Sequence, residues 1–127
     1  MKNNIVGWFE IPVAKFDRAV KFYELVFGIT MEILDLGDLK MALFPWKENI
    51  PGARGALACH EKFYRPSADG VLIYLTSPSG DLDVDLKKAE DAGGKVIFQR
   101  RQISEEFGYM GMFIDSEGNR IALHSRK

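Results

Sequence analysis

One glutamate and two histidines are the residues of this chain best suited to acid/base chemistry. Glu10 lies in an apolar stretch near the start, and His60 and His124 are the only histidines. Partial desolvation of a carboxylate makes it a stronger proton acceptor, which suits a general base or an acceptor for a ligand's hydrogen bond. Two alternatives stay open: that Glu10 is solvated or paired with a basic neighbour, and that His124 is structural.

Other reactive residue types are poorly placed. Cys59 is the only cysteine, and no basic residue except His60 adjoins it, so it is a weak candidate nucleophile. The phosphate-binding pattern GxxxxGK[ST], the nucleophile pattern GxSxG, and the patterns HExxH and CxxC do not occur. The enzyme classes that depend on these motifs are therefore disfavoured.

The first half of the chain has the predicted element order β-α-β-β-β. Residues 5–13, which include Glu10, are rich in aromatic and β-branched residues and predict a strand. From Phe16 to Phe27, apolar residues recur every three or four positions, which predicts an amphipathic helix ended by Gly28. Further strands are predicted at 31–36, 39–45 and 53–60, the first two joined by a turn at Gly37-Asp38.

The second half repeats this order. A predicted strand at 70–76 leads into SPSGD, in which Ser79 and Asp81 are candidate N-caps of a helix that ends at 92–94. Strands are predicted at 95–102, 109–115 and 120–125, the last two joined by a turn at 116–119. Neither βαβββ unit can bury its sheet alone, so we expect them to pack together.

Size and composition indicate one globular domain over residues 1–127, with repeat one at about 4–61 and repeat two at about 69–126. A formal net charge of -1 provides no field that would attract nucleic acid or an anionic membrane. No segment approaches the roughly 20 apolar residues of a membrane span. The start does not resemble a secretory signal, and a single cysteine fits a reducing compartment, so we expect a cytoplasmic protein.

Three stretches carry a resemblance to a known superfamily. They are PVAKFDRAVKFYELVFGI (12–29), DLDVDLKKAEDAGGKVI (81–97) and FIDSEGNRIALHS (113–125). The chain resembles the vicinal oxygen chelate superfamily of glyoxalase, bleomycin-resistance and extradiol-dioxygenase folds. The resemblance implies an α+β fold in which two βαβββ modules form a curved mixed sheet or half-barrel around a cavity. It also implies a homodimer.

The resemblance allows the usual metal-ligand positions to be inspected. Metal-dependent members hold a divalent ion with four His or Glu side chains, two from each repeat. The first-strand position falls on Trp8 and the last-strand position on Ala122, and neither side chain can coordinate a metal. The strand 70–76 contains no His, Glu or Asp, which leaves only His60 and Glu61 as donors. We therefore expect no cofactor and no family-type metal, with a divalent metal as the disfavoured alternative.

The same register implies which residues face the cavity. Trp8 and Glu10 share one face of the first strand, and His124 shares a face with Ala122 on the last. If Glu10 and His124 approach within hydrogen-bond reach, they form a catalytic or ligand-orienting pair.

Aromatic side chains would form the walls of this cavity. Trp8, Phe44 and Tyr74 suit a flat or apolar ligand, although ordinary core packing is the alternative. His60 is a further substrate-binding candidate if it faces the cavity, but we favour its placement in the turn HEKFYRPS (60–67).

These expectations favour a glyoxalase-related protein that binds a small organic molecule, alone or together with lyase- or isomerase-type acid/base chemistry without a tightly bound metal. The first alternative is a non-catalytic protein that sequesters a drug or metabolite, like bleomycin-resistance proteins. The second is a metal-dependent lyase or dioxygenase whose ligands lie elsewhere.

Overall fold

The computed structural model describes residues 4–127, and it consists of two modules with the same order of elements. Module one contains β1 Trp8–Pro12, α1 Phe16–Phe27, β2 Glu32–Asp35, β3 Lys40–Leu43 and β4 Arg54–Cys59. Module two contains β5 Ile73–Thr76, α2 Leu82–Asp91, β6 Lys95–Ser104, β7 Gly108–Ile114 and β8 Arg120–Ser125. The expected α+β fold of two βαβββ modules is confirmed. Strands β1 and β5 begin three residues later than the sequence indicated, because pairing with β4 and β8 begins only there.

Each module forms its own four-stranded mixed sheet. The strand orders are β1-β4-β3-β2 and β5-β8-β7-β6, with parallel pairing between β1 and β4 and between β5 and β8. The other neighbouring strands are antiparallel. The sheets are not closed into a barrel, and β1 and β5 are edge strands that do not pair with each other.

One hydrophobic core joins the modules. Phe22 of α1 packs against Phe113 of β7, with ring centroids 5.8 Å apart. Leu57 on β4 and Leu86 on α2 are buried in the same cluster. Because neither module has a separate core, the relative position of their sheets is fixed by side-chain packing.

The helix ends follow local rules. Gly28 ends α1 in the left-handed conformation at φ 64°, as the sequence predicts, and Asp81 caps α2 by accepting from the backbone N–H of Asp83 at 3.0 Å. Lys15 at the start of α1 provides no side-chain cap of its own. Within residues 4–127, neither helix is long and apolar enough to cross a membrane.

The missing cap of α1 comes from module two. Glu117, in the turn between β7 and β8, accepts from the backbone N–H groups of Ala14 at 3.0 Å and Lys15 at 2.7 Å. The Arg18 guanidinium donates to the same carboxylate at 2.7 Å. Burial by itself raises the pKa of Glu117, but these hydrogen bonds outweigh it and hold that pKa below its ordinary value.

A second set of buried hydrogen bonds adjoins the first. The Tyr23 hydroxyl donates to Asp115 at 2.5 Å, and the Asn119 side-chain amide donates to the backbone carbonyl of Pro12 at 2.7 Å. Burial, followed by the charge of Asp115, raises the pKa of Tyr23 well above its ordinary value. The turn 116–119 therefore attaches module two to the junction of β1 and α1.

Candidate functional site

A cleft lies between β1 and β5, where the two modules meet without strand pairing. It has a large compartment of about 910 Å³ and a small compartment of about 370 Å³. The two compartments share four lining residues, namely Val6, Phe9, Leu72 and Ile73. The two compartments therefore adjoin along these residues.

Aromatic and aliphatic side chains line the large compartment. Phe9 lies across Gly55 of β4, where the absence of a side chain makes room for its ring. Phe44 packs beside Phe9 with ring centroids 5.6 Å apart, and its ring also meets Tyr23 edge-on. The compartment is completed mainly by Phe27, Trp46, Ile50, Tyr74 and Leu75. Such a surface suits a flat or apolar ligand.

Glu10 lies in the small compartment and is held by two hydrogen-bond donors. The Tyr64 hydroxyl donates to Oε1 at 2.5 Å, and the Trp8 indole N–H donates to Oε2 at 3.1 Å. The hydrogen bond to Glu10 raises the pKa of Tyr64, and partial burial adds to the effect. The carboxylate is thus oriented by a residue on its own strand face and by one from the segment that joins the modules.

Three further polar side chains line the small compartment. Asn119 accepts from the backbone N–H of Ser67 at 3.1 Å, and the Ser67 hydroxyl accepts from the backbone N–H of Asp69 at 3.0 Å. Arg65 is exposed, and within residues 4–127 it forms no side-chain hydrogen bond and no salt bridge. Arg65 is therefore the charged group of this compartment that is free to meet a ligand.

Two of the aromatic residues singled out in the sequence line the cleft, and a third borders it. Phe44 and Tyr74 both line the large compartment, and Tyr74 pairs in register with Ala122 of β8. Trp8 lines neither compartment but contacts Glu10 through its indole N–H. Its side chain is 43% exposed, so it remains accessible beside the cleft.

The two histidines lie away from Glu10. His124 Nε2 is 2.5 Å from the Phe107 carbonyl, whereas the donors to Glu10 are Trp8 and Tyr64. In the described part of the chain, no hydrogen bond or ion pair joins Glu10 to His124. Strand alternation explains the difference: Ile121 of β8 lines the small compartment with Glu10, and His124, three residues later, lies on the opposite face of the strand.

His60 directly follows β4 and does not line either compartment of the cleft. Its Nε2 lies 3.3 Å from Asp38, and its Nδ1 accepts from the backbone N–H of Lys62 at 3.0 Å. The imidazole also packs against Phe63, with ring centroids 4.9 Å apart. These contacts belong to the turn that follows the strand.

The positions that hold a metal in the superfamily do not fit one here. The strand pair Phe9–Gly55 of module one corresponds to the pair Ile73–Ile121 of module two. By this correspondence between the modules, Trp8 is equivalent to Leu72, and Ala56 is equivalent to Ala122. An indole N–H and three aliphatic side chains provide no donor atom for a divalent cation. Across residues 4–127, no three His, Cys, Asp or Glu side chains lie close enough together to hold one.

Sequence reasoning missed Tyr64 and Arg65. Both belong to the segment between the modules, which the pattern identified only as a turn and loop. The signal in the sequence was Pro66, which directly follows an aromatic and a cationic residue. Proline fixes its own φ and restricts the backbone of the residue before it. Their proximity to Glu10 depends on how the segment folds back.

Comparison with known proteins shows similarity of structure rather than of sequence. No protein-family model matches the chain, and no curated protein sequence matches it. Glyoxalase I from Zea mays superposes with a TM-score of 0.59 and 16% identity, covering 94% of this chain and 45% of that chain. This chain thus spans about half the length of the maize enzyme.

Two other similar structures match along nearly their whole length. A glyoxalase/bleomycin resistance protein/dioxygenase family enzyme from Burkholderia phytofirmans PsJN has a TM-score of 0.68 and 15% identity, covering 95% of this chain and 98% of that chain. TnmS3, an antibiotic binding protein from Streptomyces sp. CB03234, has a TM-score of 0.60 and 23% identity, covering 100% and 99%. At these identities the likeness concerns the fold.

Proposed function

On the premise that this chain has the vicinal oxygen chelate fold, we propose that it is a glyoxalase-related protein that binds a small organic molecule in the cleft between its modules. The observation that carries the proposal is the large compartment of about 910 Å³, whose walls include Phe9, Phe44 and Tyr74. Its volume and aromatic lining suit a ligand of drug or metabolite size. The structural similarity to TnmS3, named as an antibiotic binding protein, supports binding as the primary activity.

Apolar contact alone would give weak binding. Burial of about 200 Å² of a two-ring ligand contributes roughly 5 kcal/mol at 25 cal/mol per Å², before the entropic cost of association is subtracted. Micromolar affinity requires about 8 kcal/mol net. Specificity and the remaining affinity therefore depend on the polar side chains of the small compartment, which adjoins the large one through Phe9 and Ile73.

A second candidate function is acid/base catalysis of a lyase or isomerase type. The observation that favours it is the Glu10 carboxylate, which lines the small compartment and is oriented by Trp8 and Tyr64. A carboxylate held in a fixed position can accept a proton from a bound substrate. Substitution Glu10→Gln distinguishes the two functions, because it abolishes turnover in an enzyme but leaves a pure binding protein able to bind an apolar ligand.

We also propose that two copies associate through their outer sheet edges. Strand β2 is exposed and carries Glu32 and Asp35 with Ile33 and Leu34, whereas β6 carries Lys95, Arg100 and Arg101 with Ile97 and Phe98. Each is an edge strand with apolar side chains, and the charges of the two edges are opposite. A two-fold dimer that places β2 of one protomer beside β6 of its partner uses both features.

Charge reversal tests this dimer. Glu32→Lys and Lys95→Glu should each shift sedimentation equilibrium toward monomer, and the double variant should restore the dimer because opposite charges face each other again. Lys21→Glu, on the exposed face of α1, is the control and should leave the assembly unchanged. A wild-type chain that sediments as a monomer at 100 µM would exclude the proposal.

The single free cysteine, Cys59, fits our further proposal that the protein works in the cytoplasm.

Ligand binding is tested by a thermal-shift screen of aromatic metabolites and drugs, followed by titration calorimetry of the compounds that raise the melting temperature. Ile50→Asp, which places a charge in the wall of the large compartment, should weaken their binding at least tenfold. Leu25→Asp on α1 is the matched control, because Leu25 is similarly exposed but lies outside the cleft. Equal affinities for wild type and the Ile50→Asp variant would place the ligand elsewhere.

A further inference from the structure

The small compartment is lined by a cation, Arg65, whose side chain has no hydrogen-bond or ion-pair partner among residues 4–127. We propose that the ligand has an anionic oxygen group, such as a carboxylate, sulfonate or phosphate, that binds Arg65 while an apolar ring body occupies the large compartment. This inference rests on the proposed binding function and specifies the chemical class of the ligand.

Among the described residues that line the small compartment, Arg65 is the only cation. Two nearby cations line neither compartment: Arg18 bonds to Glu117, and Arg120 donates from a terminal N–H to the carbonyl of Gly70 at 3.2 Å. A guanidinium offers a planar pair of N–H donors that matches two oxygens of a carboxylate, sulfonate or phosphate. Arg65 is thus the group suited to recognise an anion at this end of the cleft.

The carboxylate of Glu10 does not neutralise Arg65. No ion pair within 4.0 Å joins the two side chains among the described residues, and both Glu10 oxygens already accept hydrogen bonds from Tyr64 and Trp8. The amide of Asn119 is likewise engaged with Pro12 and Asp115. Both oxygens of the Glu10 carboxylate thus already have hydrogen-bond donors, whereas the Arg65 guanidinium has no acceptor among the described residues.

The shape of the cleft connects this cation to the apolar compartment. Phe9 and Ile73 line both compartments, so the two spaces adjoin, and the proposed ligand packs its ring on Phe9 and directs its anionic end toward Arg65. A ligand of this kind gains both apolar burial and a charge-assisted hydrogen bond, which supplies the affinity that apolar contact alone lacks.

Two fluorescent probes with the same ring system test the inference. 1-Anilinonaphthalene-8-sulfonate carries an anionic group, and N-phenyl-1-naphthylamine lacks it. The sulfonate probe should bind the folded wild-type protein about tenfold more tightly than the neutral probe. Arg65→Gln should abolish this preference without changing affinity for the neutral probe, and Arg65→Lys should retain part of it.

Lys62→Gln provides the matched control, because Lys62 is an exposed cation of the same segment that lines neither compartment. Its substitution should leave the preference for the sulfonate intact. The inference is overturned if both probes bind equally well, or if Lys47→Gln, which removes a cation from the lining of the large compartment, abolishes the preference and Arg65→Gln does not; in either case the proposed binding function survives. If neither probe binds, the proposed function fails together with the inference.

Discussion

At the scale of single residues, Glu10 illustrates how a side chain acquires a defined orientation. Trp8 lies two residues away on the same strand face, so period-two geometry brings its indole N–H to the carboxylate. Tyr64 reaches the other oxygen from 54 residues away in sequence. The Trp8 contact follows from strand geometry, whereas the Tyr64 contact depends on the tertiary fold.

Glu10→Gln should lower the pKa of Tyr64 toward the ordinary tyrosine value. The hydrogen bond to a charged acceptor is the largest cause of the raised pKa, and a neutral amide stabilises the phenol less than a carboxylate does. NMR titration of ¹³Cζ-labelled tyrosine measures this change. An unchanged pKa of Tyr64 in the Glu10→Gln variant would contradict the hydrogen bond.

At the scale of elements, pairing between β1 and β4 shapes the cleft. Gly55 on β4 is opposite Phe9 on β1, and a Cβ atom there would overlap the Phe9 ring. Gly55 thereby allows Phe9 to lie flat between the two compartments. Gly55 is required because a larger residue would overlap the Phe9 ring, and not because of its backbone conformation, since its φ is not positive.

Gly55→Ala should displace Phe9 and reduce both stability and ligand affinity. Overpacking of this kind typically costs about 1–3 kcal/mol, and the displaced ring would change the wall that the two compartments share. Urea denaturation and probe titration measure the two effects. Gly7→Ala is the matched control, because a Cβ at Gly7 meets no atom of residues 4–127 within 4 Å. Normal probe binding by the Gly55→Ala variant would show that Phe9 does not shape the site.

At the scale of the whole molecule, a few buried polar contacts determine how the modules meet. The Glu117 carboxylate of module two accepts from the backbone N–H of Lys15 at the start of α1, where Lys15 itself provides no side-chain cap. Arg18 donates to the same carboxylate. These contacts bridge about 100 positions of sequence, as the separation of 102 between Lys15 and Glu117 shows. The position of β1 relative to module two, and hence the cleft, depends on them.

Glu117→Gln should destabilise the protein by about 2 kcal/mol at pH 7, because it weakens a charge-assisted pair and leaves a backbone N–H poorly satisfied. The folded-state pKa of Glu117 is lowered from 4.5, so its contribution is present above about pH 4.5 and is lost as the pH falls through the folded value. Wild-type stability should therefore fall more steeply on acidification than that of the variant.

Urea denaturation at pH 7 and pH 3.5 measures this difference. Glu90→Gln replaces an exposed carboxylate on α2 and should follow the wild-type pH dependence. Parallel acid profiles for wild type and the Glu117→Gln variant would show that the carboxylate does not stabilise the module interface.

The amino-acid sequence by itself determined the order of elements and the limits of α1, because apolar spacing and a terminal glycine act through local geometry. It also determined that Trp8 and Ala122 carry no metal donor, since that follows from residue type alone. The tertiary structure decided that residues of β1 and β5 line one cleft, that Tyr64 bonds to Glu10 beside Arg65, and that His124 bonds elsewhere. These placements depend on contacts between distant parts of the chain, which local periodicity does not encode.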